Sequence, residues 1–171
     1  MKLNLFASLM AASTLAVGAL AIGSHPSSAQ MDTYFCGKSK DGVPTTYALT
    51  ATGKKIAVIR WVKNWGGKYT PEVRCQEVSA KFQSASEQGL LKYLTYGIKS
   101  GQKVICVAGE YGGPCLQVLF TLRSNDDPDR VLQDMMSVGF RAQGPVVQSE
   151  DGSPQYYYDF EQFLEKAPTA E

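Results

Sequence analysis

Arg60-Trp61-Val62-Lys63-Asn64-Trp65-Gly66-Gly67-Lys68-Tyr69-Thr70-Pro71-Glu72 is the densest run of chemically capable residues in the sequence. Aromatic side chains and a permissive backbone are common where loops recognise partners. Trp61, Trp65 and Tyr69 therefore form a candidate binding surface. The plainer expectation puts Trp61 in the core and folds Trp65 over the start of the next helix. Arg60, Arg74 and Glu77 are expected as a buried charge network orienting that helix on a sheet, because a buried guanidinium needs a carboxylate or carbonyl partner. A catalytic Glu–Arg pair using Glu72 or Glu77 is the alternative use of the same residues.

Other familiar chemistries are thinly supplied. The only histidine is His25, and it lies in a segment expected to be removed. Without it, Ser-His-Asp and Cys-His nucleophiles, histidine general acid–base work and most zinc hydrolase sites are excluded. Asn125-Asp126-Asp127-Pro128-Asp129 is acidic, but it lacks the spacing, central Gly and terminal Glu of an EF-hand loop. It reads as a helix cap. Tyr156-Tyr157-Tyr158 has no basic neighbours and reads as a strand alternating in and out, not as a platform for stacking bases. No catalytic residue, metal ligand or cofactor is assigned, and the chain is expected not to be an enzyme.

The cysteines are Cys36, Cys75, Cys106 and Cys115. No Cys-x-x-Cys occurs, which disfavours zinc and thioredoxin-like redox chemistry. An even number in an exported chain reads as two disulfides with three possible connectivities. Cys36–Cys75 and Cys106–Cys115 are favoured. The second pair flanks the turn-rich Gly109-Glu110-Tyr111-Gly112-Gly113-Pro114, and the first would tie an N-terminal strand to the following helix.

Export is read from the N-terminus. Met1-Lys2 gives a short positive start, and Leu3 to Ile22 carries no charge. Gly23-Ser24-His25-Pro26 breaks the run, and Ser27-Ser28-Ala29 offers the small residues of a cleavage site before Gln30. An uncleaved anchor is the competing reading, since about 20 apolar residues span a bilayer. No cysteine lies nearby to carry a lipid. Loss of residues 1–29 leaves 142 of the 171 and removes Lys2, so 16 basic residues face 16 acidic ones. A neutral chain without basic clusters is a poor partner for nucleic acid. Its length suits one domain, 30–165, followed by a frayed tail, 166–171.

The elements that must position these residues follow from alternation and breakers. Thr33–Lys38, Pro44–Ala51 and Lys55–Lys63 read as strands separated by Asp41-Gly42 and Thr52-Gly53. Lys55–Lys63 is apolar on both faces, as in a strand covered on two sides. Thr70 caps and Pro71 opens a helix, whose face is Cys75, Val78, Phe82 and Ala85 and whose stop is Gly89. Leu90–Lys99, Gln102–Ala108 and Cys115–Arg123 are three further strands. In the last, Leu116, Val118, Phe120 and Leu122 are expected to point inward. Asp127-Pro128 opens a second helix that carries Val131, Leu132, Met135 and Val138 and ends at Gly139. Ala142–Pro154 is turn-rich, and Tyr156–Leu164 reads as a last strand followed by helical turns. The expected fold is α+β, with a mostly antiparallel sheet built from two three-stranded meanders, each followed by a helix, and stabilised by disulfides.

Several segments resemble the circadian oscillating protein domain family of cyanobacteria. They are Val58-Ile59-Arg60-Trp61, Tyr69-Thr70-Pro71-Glu72-Val73-Arg74-Cys75-Gln76-Glu77-Val78-Ser79, Gly89-Leu90-Leu91-Lys92-Tyr93-Leu94-Thr95 with Val104-Ile105-Cys106-Val107-Ala108, and Leu119-Phe120-Thr121-Leu122. The likeness runs from about Tyr34 to Leu164. It implies a protein whose abundance follows a daily rhythm and which is associated with membranes, and it brings no catalytic residues. The leading expectation is a non-catalytic protein of the periplasm or thylakoid lumen, peripherally attached to a membrane or membrane complex, with no integral span after cleavage. The alternative is a small-ligand binder or histidine-independent enzyme using the Trp61–Tyr69 loop.

Overall fold

Thr33–Lys38 (β1), Pro44–Leu49 (β2) and Lys55–Arg60 (β3) form an antiparallel sheet in the order β1-β2-β3. The structure is a computed structural model, and it describes residues 31–64, 66–136, 147–148 and 154–170. The leader 1–29, Trp65, Val138, Gly139 and most of the Ala142–Pro154 stretch lie outside the described residues. Gly42 and Gly53, at φ of 79° and 82°, occupy the left-handed conformation that these strand connections require and that glycine adopts without steric cost.

The second sheet contains Tyr93–Lys99 (β4), Gln102–Ala108 (β5) and Gln117–Thr121 (β6). A short strand near the C-terminus joins it. Val147–Gln148 (β7) pairs with Pro154–Gln155 (β8), whereas Tyr158–Asp159 (β9) pairs with the outer edge of β4, giving the order β6-β5-β4-β9. In place of the one sheet expected from the strand order there are separate sheets of three and four strands, besides the short β7–β8 pair. The helices are Pro71–Glu87 (α1), Pro128–Met135 (α2) and Phe160–Lys166 (α3). Among the described residues no helix is long and apolar enough to cross a membrane.

α1 holds the two sheets together, lying against β1 and β2 and also reaching β6. Its start is local chemistry: Thr70 Oγ1 accepts from the Val73 N–H at 3.3 Å, and Pro71 occupies the first turn. At its end Leu90 N–H donates to the Ala85 carbonyl and Gly89 N–H to that of Ser86, a pairing that satisfies carbonyls left over by the last turn. Cys75, Val78, Phe82 and Ala85 are buried on one stripe, together with Ser79. α2 begins under the Asp127 carboxylate, which accepts from the Asp129 and Arg130 N–H groups.

Two register shifts correct the alternation read from sequence. In β3, Ile59 pairs with Thr46 and Ala57 with Tyr47, so Val58 is an extra residue. A bulge of this kind resets the in–out order. Ile56, Val58, Ile59 and Trp61 are all buried, while Arg60 and Val62 are exposed. The strand is not apolar on two covered faces; it has one face with a step in it. In β6, Leu119 is the extra residue between Val118 and Phe120. Leu119 is fully buried, Val118 and Phe120 are half-buried, and Leu116, expected inward, is 49% exposed.

Both sheets contribute to one apolar cluster that includes Phe82, Leu94, Ile105, Val107, Leu119 and Phe160. The polar groups inside it are paired. Thr46 Oγ1 accepts from Trp61 Nε1 and bonds the Ser79 hydroxyl, each at 3.0 Å. Thr95 Oγ1 donates to the Tyr156 carbonyl at 2.8 Å. The tail expected to fray is also tied down: Ala167 is buried and the Ala170 N–H donates to the Lys55 carbonyl. Cys36 and Cys75 form a disulfide between β1 and α1, with Cα atoms 5.5 Å apart. A second joins Cys106 to Cys115, with Cα atoms 5.6 Å apart, and closes the loop between β5 and β6.

Two buried phenols make the core sensitive to alkali. Burial pushes the Tyr34 hydroxyl well above the usual tyrosine range, with Asp32 and Glu161 adding to the effect. Tyr158 is raised by burial and by its 2.6 Å bond to Asp129. A folded-state pKa above the unfolded value, near 10, means that the native chain holds protons the unfolded chain has lost. Stability from these groups is complete below about pH 10 and declines as pH rises towards their folded values. Phenolate absorbance from Tyr34 and Tyr158 is expected to appear together with loss of near-ultraviolet circular dichroism. Their ionisation in the ordinary range, with tertiary signals intact, would contradict this placement.

Candidate functional site

Trp61 follows β3 directly and is only 4% exposed. Its Nε1–H is spent on Thr46, and its ring meets Phe120 edge-on, with centroids 5.8 Å apart. The expectation that Trp61 is core describes its burial, but one indole face carries a charge. The Arg74 guanidinium lies 4.5 Å from the ring centroid, within cation–π reach, and its Nη1 donates to the Lys63 carbonyl at 3.2 Å. α1 thereby delivers an arginine across the end of β3.

Around this pair runs an open groove of about 480 Å³, bounded by β3, the end of β6 and α2. Phe120, Leu122, Val131 and Met135 supply apolar walls, and Arg60, Lys63, Arg74, Arg123, Asp126 and Asp134 supply the charged lining. Arg123 holds Asp126 through a 3.0 Å ion pair. That hydrogen bonding, helped by the fields of Arg123 and Lys63, keeps the Asp126 carboxyl below the usual carboxylate range. Arg74 is pulled down to about 10, first by burial and then by repulsion from Arg123. It stays charged at neutral pH.

The buried network of Arg60, Arg74 and Glu77 does not form. The step in β3 turns Arg60 to solvent, where it pairs with Asp41 of the first turn. The Asp41 carboxyl is lowered by the Ser39 hydroxyl and then by Arg60. Glu77 sits on the exposed side of α1, away from the stripe of Cys75, Val78 and Phe82, and Glu72 is exposed as well. No Glu–Arg catalytic pair is assembled from these residues. Of the six singled out in the sequence, Arg60, Trp61 and Arg74 line the groove. Tyr69 stands on the neighbouring loop, Glu77 faces elsewhere, and Trp65 lies outside the described residues.

That loop leaves β3 through Val62, which is 66% exposed, and returns to α1 through Tyr69, which is 49% exposed. Lys63 and Lys68 are exposed beside them. Asn64 Oδ1 accepts from the Gly66 N–H at 2.9 Å, and Gly66 and Gly67 turn with positive φ.

The remaining motifs are consumed by structure. Asp126 pairs with Arg123, Asp127 caps α2, and Asp129 accepts from Gln133 and from the Tyr158 hydroxyl. Among the described residues no grouping of His, Cys, Asp and Glu could hold a metal ion. Tyr157 and Tyr158 are both buried, Tyr157 donating to the Gly113 carbonyl at 2.8 Å. Phe120, Arg123, Val131 and Met135 escaped the sequence reading of the site. They reach Trp61 only through the pairing of β6 with β5 and the return of α2, and no local spacing marks them.

The fold and site define a class: a disulfide-held α+β domain with an apolar groove edged by arginines. More particularly, the family model described as circadian oscillating protein COP23 matches residues 33–165, and the chain belongs to that family. Comparison with curated proteins and with solved structures found no match.

Proposed function

We propose that this is an exported, non-catalytic domain of the periplasm or thylakoid lumen that attaches peripherally to a membrane or membrane complex through the loop between β3 and α1. The observation that carries the reading is the outward display of Val62 and Tyr69, each next to an exposed lysine, Lys63 or Lys68. Amphipathic aromatic rings favour the headgroup level of a bilayer, and each lysine near an anionic surface contributes about 1 kcal/mol. Export is supported by the leader-like N-terminus and by two disulfides, which persist in oxidising compartments. Membership of the COP23 family agrees with it.

Vesicle sedimentation tests the attachment. Protein beginning at Gln30 is expected to sediment with vesicles containing anionic lipid, and less as salt rises. Replacing Lys63 and Lys68 together by glutamate should weaken binding by at least about 30-fold, the equivalent of the two lysine contributions. A protein that stays in the supernatant with every vesicle at low salt overturns the reading.

A further inference from the structure

The groove beside Trp61 has a feature that membrane attachment does not use. Its walls are apolar along Phe120, Leu122, Val131 and Met135, yet its charged side is unbalanced. Arg60, Lys63, Arg74 and Arg123 line it against two carboxylates, Asp126 and Asp134, and Arg60 is already paired with Asp41 outside. A volume of about 480 Å³ lies within the range of ordinary small-molecule sites, which combine an apolar lining with a few convergent polar groups.

We propose that this groove binds a single-chain amphipathic carboxylate, free in solution, with its head between Arg74 and Arg123 and its hydrocarbon against Phe120, Val131 and Met135. Charge complementarity selects an anion. The planar Arg74 guanidinium suits a planar carboxylate, and Arg123, whose Nε and Nη2 hold Asp126, adds its charge from the other side. The two arginines come from different elements, α1 and the end of β6. Burial and mutual repulsion already lower the Arg74 pKa, and an anion between the pair offsets that repulsion. The apolar walls exclude a fully hydrated ion such as inorganic phosphate as the fitting occupant, because nothing would then cover them. The proposal goes beyond membrane attachment and does not depend on it.

The test uses the whole chain from Gln30, titrated calorimetrically with dodecanoate below its micelle-forming concentration. Dodecyltrimethylammonium and dodecanol serve as the cationic and neutral counterparts. One dodecanoate should bind per chain, with both counterparts at least about tenfold weaker, as expected for loss of a charge-assisted hydrogen bond. Arg123→Gln should weaken dodecanoate about tenfold, with the chain still folded and only a small fall in melting temperature from the lost Asp126 pair. Val131→Trp, which fills the groove, should remove binding of all three probes. Val131→Trp could unfold the chain, but Arg123→Gln at the exposed rim still tests the assignment. Equal affinity for dodecanoate and dodecyltrimethylammonium overturns the proposal. So does Arg123→Gln with unaltered dodecanoate affinity, or binding to anionic vesicles with none to dissolved dodecanoate.

Discussion

Phe82→Ala is expected to cost about 3–5 kcal/mol, the range for removing a buried phenyl ring. That is a large share of the roughly 5–15 kcal/mol by which a domain is stable. Phe82 is wholly buried where three elements meet. Its ring lies 5.6 Å from Tyr34 of β1 and 5.5 Å from Phe160 at the head of α3, and Phe160 in turn stacks on Phe163 at 5.6 Å. Loss of the ring leaves a hole that none of these elements can close without pulling away from another. Urea unfolding should show a lower midpoint with an unchanged slope. Phe35→Ala on the opposite side of β1, where the ring is 38% exposed, serves as a control and should lose much less. A Phe82→Ala protein within about 1 kcal/mol of the parent would mean that this three-way junction is not what holds the core.

The second large effect concerns Cys36–Cys75. The sequence separation is 39, and in the chain-entropy account closing a loop of that length contributes roughly 3.9 kcal/mol. Cys106–Cys115, separated by 9, contributes roughly 2.7. Cys36→Ala with Cys75→Ala is therefore expected to lower stability more than Cys106→Ala with Cys115→Ala, and urea unfolding of the two double variants measures the difference. Accessibility predicts the reverse order for reductant. Cys115 is exposed, whereas Cys75 is wholly buried and Cys36 is only partly open. Timed alkylation during reduction should label Cys106 and Cys115 first. Native protein whose four cysteines all alkylate without reductant would contradict both disulfides.

The parts of this fold that could be read in advance are those governed by near neighbours. Thr70, Pro71 and Gly89 bracket α1 through hydrogen bonds within a turn of themselves, and the buried stripe from Cys75 to Ala85 follows from helical spacing. Bulges leave no such trace. Val58 and Leu119 are ordinary strand residues, and only the partner strand reveals that each is one too many. Each bulge changed the orientation of a residue that mattered, sending Arg60 outward and Leu119 inward. Sheet membership was hidden for a related reason. Tyr158 is recognisable as strand, but its pairing with Leu94 is set by the folded core and not by its own flanks. The site divides in the same way. Trp61 and Arg74 stand in adjoining elements and were visible together, whereas Phe120 and Arg123 meet them only after β6 has found β5.

Phe160 has a further consequence through its place in the chain. Its ring fills the space beside Tyr34 and Phe82, so β1 waits on α3, which follows both larger sheets in the chain. A chain emerging from a ribosome or threading a pore, amino end leading, can form β1 to β3 and α1 but cannot seal its interior until Tyr158–Lys166 has come through. During that interval the rings of Tyr34 and Phe82 stay wet. Vectorial delivery would therefore keep the polypeptide pliable until α3 has passed, and truncation before Tyr156 should yield a species that binds chaperones instead of one that settles.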